Sequence, residues 1–136
     1  MDSRLKQPYL HLVPIRIQSG HQRETACTAL VDSGNVWANV ISKRLFHKMG
    51  FNEKDDLKTV PGEQTVGTAK KGANLTVLGQ LRRKITIKIG DHETRFKDQP
   101  MVLDGLAMDF NLSGPFLRKH NINQLHDQDC LGIQGQ

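Results

Sequence analysis

Ala26-Cys27-Thr28-Ala29-Leu30-Val31-Asp32-Ser33-Gly34 is the stretch on which the reading of this chain turns. Its first six residues are small, β-branched or apolar, which predicts a buried strand. The strand ends in an acid and runs directly into a glycine turn. A carboxylate delivered this way is carried on rigid backbone rather than on a loose loop. Gly34 opens backbone angles that a side chain forbids, or lets a second backbone come close. Ser33 offers a hydroxyl small enough to tie the turn down. Asp, Ser and Gly are also common turn residues, so the tripeptide alone does not separate a catalytic acid from a plain β-turn.

The chain has 136 residues, enough for one domain with its own core. Residues 1–8 are expected to form a disordered arm, a candidate cut point in a precursor, and residues 9–136 the domain. Apolar residues make up 37% and charged residues 24%, a balance that fits neither a disordered tail nor a membrane protein. No apolar run reaches the length of a bilayer span. The first residues do not read as a secretory signal, so the expected location is the cytoplasm or the inside of a virus-like particle. Two cysteines, Cys27 and Cys130, are too few for a disulfide framework and fit a reducing compartment. The net charge of +5 invites an acidic partner. The basic residues are scattered, however, and aromatics are few, which argues against a nucleic-acid surface.

Along the chain, residues 9–17 are extended and turn at Ser19-Gly20-His21-Gln22 into residues 23–31, a hairpin leading to Asp32. Ser42 caps an expected helix over 43–49, with Leu45, Phe46 and Met49 on one face and Gly50 as the stop. Residues 51–58 read as a charged loop. Residues 64–69 and 75–80 are expected strands of a second hairpin, with a glycine-bearing tip between them. Lys84-Ile85-Thr86-Ile87-Lys88-Ile89 alternates polar and apolar, the clearest strand signal in the sequence. Strands are also expected at 93–97, 101–103 and 130–133. Pro115 opens a second expected helix, 115–120, with Phe116 and Leu117 toward the core. Short strands, glycine turns and one or two short helices predict a mainly β fold, a closed barrel.

Four features, in order, make the chain resemble the retropepsin family, the aspartic proteases of retroviruses, retrotransposons and their cellular relatives. Ala29-Leu30-Val31-Asp32-Ser33-Gly34 is similar to the family's apolar-apolar-Asp-Ser/Thr-Gly signature. Val66-Gly67-Thr68-Ala69, through Gly72 to Leu75-Thr76-Val77-Leu78-Gly79, resembles the flap hairpin. Phe96 and Met101-Val102-Leu103-Asp104-Gly105 look like the strand before the second half-motif. Asp109-Phe110-Asn111-Leu112-Ser113-Gly114-Pro115-Phe116-Leu117 is close to Asp-x-Ile-Leu-Gly-x-x-Phe-Leu. Asn35 stands where the family usually has alanine, Asn111 where it has isoleucine, and Ser113 where it has glycine. A one-residue local shift at Ser113-Gly114 restores the packing.

The resemblance implies an acid-protease fold and peptide hydrolysis by two carboxyl groups sharing one proton. Two carboxyls about 3 Å apart cannot both ionise, so one gives a proton while the other acts as base. This chain carries one Asp-Ser/Thr-Gly, so the second acid is expected from a second copy, Asp32 of each subunit meeting on a two-fold axis. Ser33 and Gly34 would support the turn. Lys71, Gly72 and Ala73 would form a flap over an extended, apolar-rich peptide or polyprotein segment. Asn35, Val36 and Leu112 are the candidate substrate pocket. No cofactor or metal is expected, because the spacing of His120, His126 and Cys130 fits no common zinc pattern. The alternative is a protease-like dimer with impaired catalysis that serves as a binding or assembly module, given Asn35 and Ser113.

Overall fold

A computed structural model describes residues 11–20, 23–61, 65–67, 74–125 and 130–133. The expected arm at 1–8 and the flap residues Lys71, Gly72 and Ala73 lie outside the described residues. Strands β1 (His11–Gln18) and β2 (Thr25–Asp32) pair antiparallel, from His11 opposite Val31 to Ile17 opposite Thr25. The other edge of β1 pairs with β7 (Ile85–Ile89), which places Ile15 opposite Ile89 and Ile17 opposite Ile87. β8 (Arg95–Asp98) continues the sheet with Phe96 opposite Ile87. Because side chains alternate along a strand, this register collects Ile15, Ile17, Ala29, Val31, Ile87 and Phe96 on one buried face. Each such side chain taken from water contributes roughly 1.5–3 kcal/mol when large and fully buried.

β3 (Val40–Ser42) leads into α1 (Lys43–Lys48). Ser42 caps the helix by accepting the Leu45 amide at 3.0 Å, and Leu45 and Phe46 are buried. Gly50 follows with φ at +89°, the left-handed angle that ends a helix cheaply only for glycine. The segment expected as a charged loop holds one helical turn, α2 (Glu53–Asp56), and β4 (Leu57–Lys58). Asn52 caps that turn, accepting the Asp55 amide at 2.8 Å. Asp56 is buried there, and its carboxylate accepts the Asn52 amide at 2.9 Å.

β5 (Thr65–Gly67) and β6 (Asn74–Leu81) form the second hairpin, with Thr65 opposite Thr76 and Gly67 opposite Asn74. β6 also pairs with β9 (Met101–Asp104). β10 (Phe110–Ser113) follows, a strand that no separate sequence signal marks. α3 (Gly114–Lys119) starts one residue before the proline, with Ser113 as its cap. β11 (Ile122–Leu125), also unexpected, pairs with β12 (Cys130–Ile133) in a separate two-stranded sheet.

The main sheet has ten strands among the described residues, in the order β4-β6-β9-β3-β10-β2-β1-β7-β8, with β5 also on β6. Among the described residues this path has two ends and the sheet is a curled half-barrel, without the closure expected of a barrel, and three short helices stand against the expected one or two. The additional helix is α2, whose single turn is too short to show a hydrophobic period.

Candidate active site

Strand order dictates the site. β2 and β3 are consecutive in sequence but not neighbours, because β10 lies between them, parallel to β2 and antiparallel to β3. Residues 33–39 must therefore cross the C-terminal end of β10. Gly114 stands at that crossing. A Cβ placed on it would lie 2.7 Å from the Ser33 carbonyl oxygen and 3.3 Å from that of Asn35, so no larger residue fits without moving the loop. The Gly114 amide donates to the Asn35 carbonyl at 2.8 Å. The close approach is made one residue after the place the resemblance assigns to glycine. Ser113, in that place, accepts the Phe116 amide at 3.3 Å and caps α3.

Asp32 is the last residue of β2 and lies level with Ser113 of β10. Ala29 and Val31 of β2 face the core, so Leu30 and Asp32 face the other side. The Asn35 amide donates to the Asp32 carbonyl at 3.0 Å, which closes a turn over Ser33 and Gly34. Both carboxylate oxygens accept hydrogen bonds: Oδ1 from the Gly34 amide at 3.2 Å, Oδ2 from Asn111 Nδ2 at 3.0 Å. Each oxygen has a second lone pair to offer. The carboxylate is half-buried, so it is fixed in direction yet open to solvent.

Asn35 and Asn111, two of the departures from the family pattern, meet each other. Asn35 Nδ2 donates to Asn111 Oδ1 at 2.9 Å and to the Ala38 carbonyl at 2.8 Å. Asn35 Oδ1 accepts the Trp37 amide at 2.9 Å. At the far end of the crossing loop, Asn39 Oδ1 accepts the Ser113 amide at 2.8 Å, and its Nδ2 donates to Asp98 at 2.8 Å. Asn39 was not singled out from sequence. Its signal was a single amide inside the apolar run from Ala38 to Ile41.

The other expected site residues fall in different places. Ser33 and Gly34 are exposed on the turn, and the Ser33 hydroxyl makes no hydrogen bond among the described residues. Gly34 has no positive φ, and a Cβ on it would meet only its neighbour's Asp32 Oδ1, at 3.4 Å. Within one chain, then, neither of the two expected reasons for a glycine operates at position 34. Val36 is 78% exposed and Trp37 42%, beside the turn. Leu112 is 0% exposed and packs in the core, so it gives no surface to a pocket on this chain. The strand period explains this, since Leu112 alternates with Asn111 and only one of them can face Asp32's side.

Asp109 is held by Arg44, whose Nη2 and Nε donate to Oδ1 at 2.6 and 3.0 Å, and by the Ser42 hydroxyl at 3.0 Å. This fits a loop anchor. A cleft of about 220 Å³ is lined by Trp37, Asn39, Asp98, Ser113, Phe116 and His120. Burial pushes the Asp98 carboxyl above its ordinary range, against the bond from Asn39. Burial also pulls the His120 imidazole down, with Lys119 adding to it. The Cys27 thiol is pushed up to about 11, first by burial and then by Asp109. No group of three or more metal-ligating side chains occurs among the described residues.

Comparison with models of known families and with curated protein sequences gives no match. Solved structures do match. One is the retroviral protease-like domain of Ddi1 from Leishmania major, with a TM-score of 0.61 and 16% identity over 92% of this chain and 90% of that one. Another is the EIAV protease complexed with the inhibitor HBY-793, with a TM-score of 0.55 and 16% identity over 84% of this chain and 90% of that one. The fold is retropepsin-like.

Proposed function

We propose that the chain is an aspartic endopeptidase that works as a homodimer, with Asp32 of each copy forming the catalytic pair. The observation that carries this reading is the placement of Asp32. In a fold shared with retroviral protease-like domains, it is the acid on the turn that the chain braces across the end of β10. One chain supplies one such acid, and the chemistry requires two carboxyls sharing a proton. The second copy completes the site by two-fold symmetry. One carboxyl then activates water while the other donates to the substrate carbonyl. The substrate is an extended, apolar-rich peptide or polyprotein segment, met by Val36 and Trp37 beside the turn and covered by the flap at Lys71, Gly72 and Ala73.

The test is cleavage of apolar-rich peptides at mildly acid pH, with sedimentation to measure dimer formation. Asp32→Asn should lower the cleavage rate by about a thousandfold, within the range for loss of a positioned acid or base. Cleavage by that variant at the wild-type rate removes Asp32 from the catalytic role. A dimer that binds such peptides but cuts none supports the second reading, a binding or assembly module. The asparagines that replace apolar residues around Asp32 are what favour it.

A further inference from the structure

We propose that Asn111 is a positioning residue for the Asp32 carboxylate, aimed by Asn35. The proposal rests on the reading of Asp32 as the reacting acid. Asn111 lies opposite Leu30 in the parallel pair β10–β2, so its side chain shares the Asp32 face. Its amide has two ends, and only one orientation is compatible with its neighbours. The Trp37 amide can only donate, so it requires Asn35 Oδ1 as acceptor. The Ala38 carbonyl can only accept, so it requires Asn35 Nδ2. Backbone groups at both ends thus fix the Asn35 amide, and its remaining N–H points at Asn111. Asn111 must answer with its oxygen, which turns its NH₂ toward Asp32 Oδ2. Reversing Asn111 would set donor against donor and oxygen against carboxylate. The backbone of residues 37 and 38 therefore orients a donor onto the acid through two side chains.

A hydrogen bond from a fixed donor holds the carboxylate in one orientation. An apolar side chain at position 111 offers no such donor. The charged groups around the turn do not duplicate the effect. Arg118 of α3 reaches the crossing, with Nη1 3.1 Å from where a Cβ on Gly114 would be. Asp98, Lys119 and His120 line a cleft together with Trp37. Asp109, before β10, is occupied by Arg44 and Ser42. Cys27 is the only other titratable side chain on β2. Among the described residues, no cation pairs with Asp32. The two asparagines, one set from each copy, are what this chain adds to a carboxylate pair.

The test uses the full-length protein, wild type, Asn111→Leu and Asn35→Ala, with two readouts. The first is kcat and KM for peptide cleavage. In Asn111→Leu kcat should fall about tenfold with KM nearly unchanged, the scale of one hydrogen bond to a charged group. Asn35→Ala should lower kcat by less, because Asn111 stays but is free to turn. The second readout needs no activity. The Asn111 side-chain amide signals in NMR should lie away from free-amide positions, return toward them in Asp32→Ala, and return part of the way in Asn35→Ala. An unchanged kcat in both variants, or Asn111 amide signals indifferent to Asp32→Ala, overturns the proposal. Displaced amide signals in a protein that cuts no peptide leave the positioning intact and reject the protease reading.

Discussion

Replacing Gly114 with alanine tests the crossing geometry directly. The new Cβ would lie 2.7 Å from the Ser33 carbonyl oxygen, whereas ordinary contact begins near 3.4 Å, so the loop must retreat by about 0.7 Å. The obstacle is backbone, which cannot swing aside as a side chain tip does. Overpacking of this kind costs about 1–3 kcal/mol. The retreat also stretches the 2.8 Å bond from the Gly114 amide to the Asn35 carbonyl, a net loss of up to about 1 kcal/mol. Alanine returns up to about 1 kcal/mol through helix propensity at the start of α3. The balance is a destabilisation of about 2 kcal/mol, or roughly 6–10 °C in Tm for a chain of this size. Urea unfolding should show it as a lower midpoint at unchanged m-value. Protein concentration must be held fixed, because dimer formation would add its own contribution. Gly34→Ala is the control: its Cβ meets nothing nearer than 3.4 Å, so stability should change by under about 0.5 kcal/mol. If Gly114→Ala is as stable as Gly34→Ala, the loop does not cross β10 as described.

Phe110→Ala empties a fully buried site beside Ala29 and Ile41 and should cost about 3–5 kcal/mol in urea unfolding; a loss under 1 kcal/mol would place Phe110 outside the core. Burial raises the folded-state value of Asp98, so the neutral acid is the form that folding favours. Its contribution to stability is complete below the unfolded carboxylate value of about 3.9 and is lost as pH rises through the raised folded value. Asp98→Asn should therefore gain on wild type between pH 3.5 and pH 7, and a difference in urea midpoint that does not change with pH refutes this. With its thiol pushed up to about 11, Cys27 should react with a thiol reagent at pH 8 about a hundredfold more slowly than a small free thiol, measured in a Cys130→Ser background. Labelling of Cys27 at the free-thiol rate would show that β2 opens readily.

Local signals were legible where one residue's chemistry settles the outcome. Ser42 followed by Leu45 and Phe46 marked α1, and the alternation of residues 84–89 marked β7. Asp32 at the end of an apolar run marked the candidate site, because an acid at a strand end is visible without knowing what lies beside it. The partners of that acid were less legible. Asn111 was noticed as a departure from a pattern, but its contact with Asp32, 79 residues away, depends on β10 entering between β2 and β3. No period in a four-residue strand announces such an insertion. Leu112 was expected in a pocket and lies in the core for the same reason, since the face each residue takes is set by register. The turn α2 and the strand β11 were missed because four residues carry too little pattern.

The insertion of β10 also sets an order of events during synthesis. A growing polypeptide that has emerged only as far as residue 100 possesses both neighbours of the missing strand but nothing to lie between them. The acid's bracing partners, Asn111 and Gly114, are then still unmade. Closing so long a loop before its contacts reward it is slow. The bracing of Asp32 thus stays incomplete until residues 110–114 have left the ribosome.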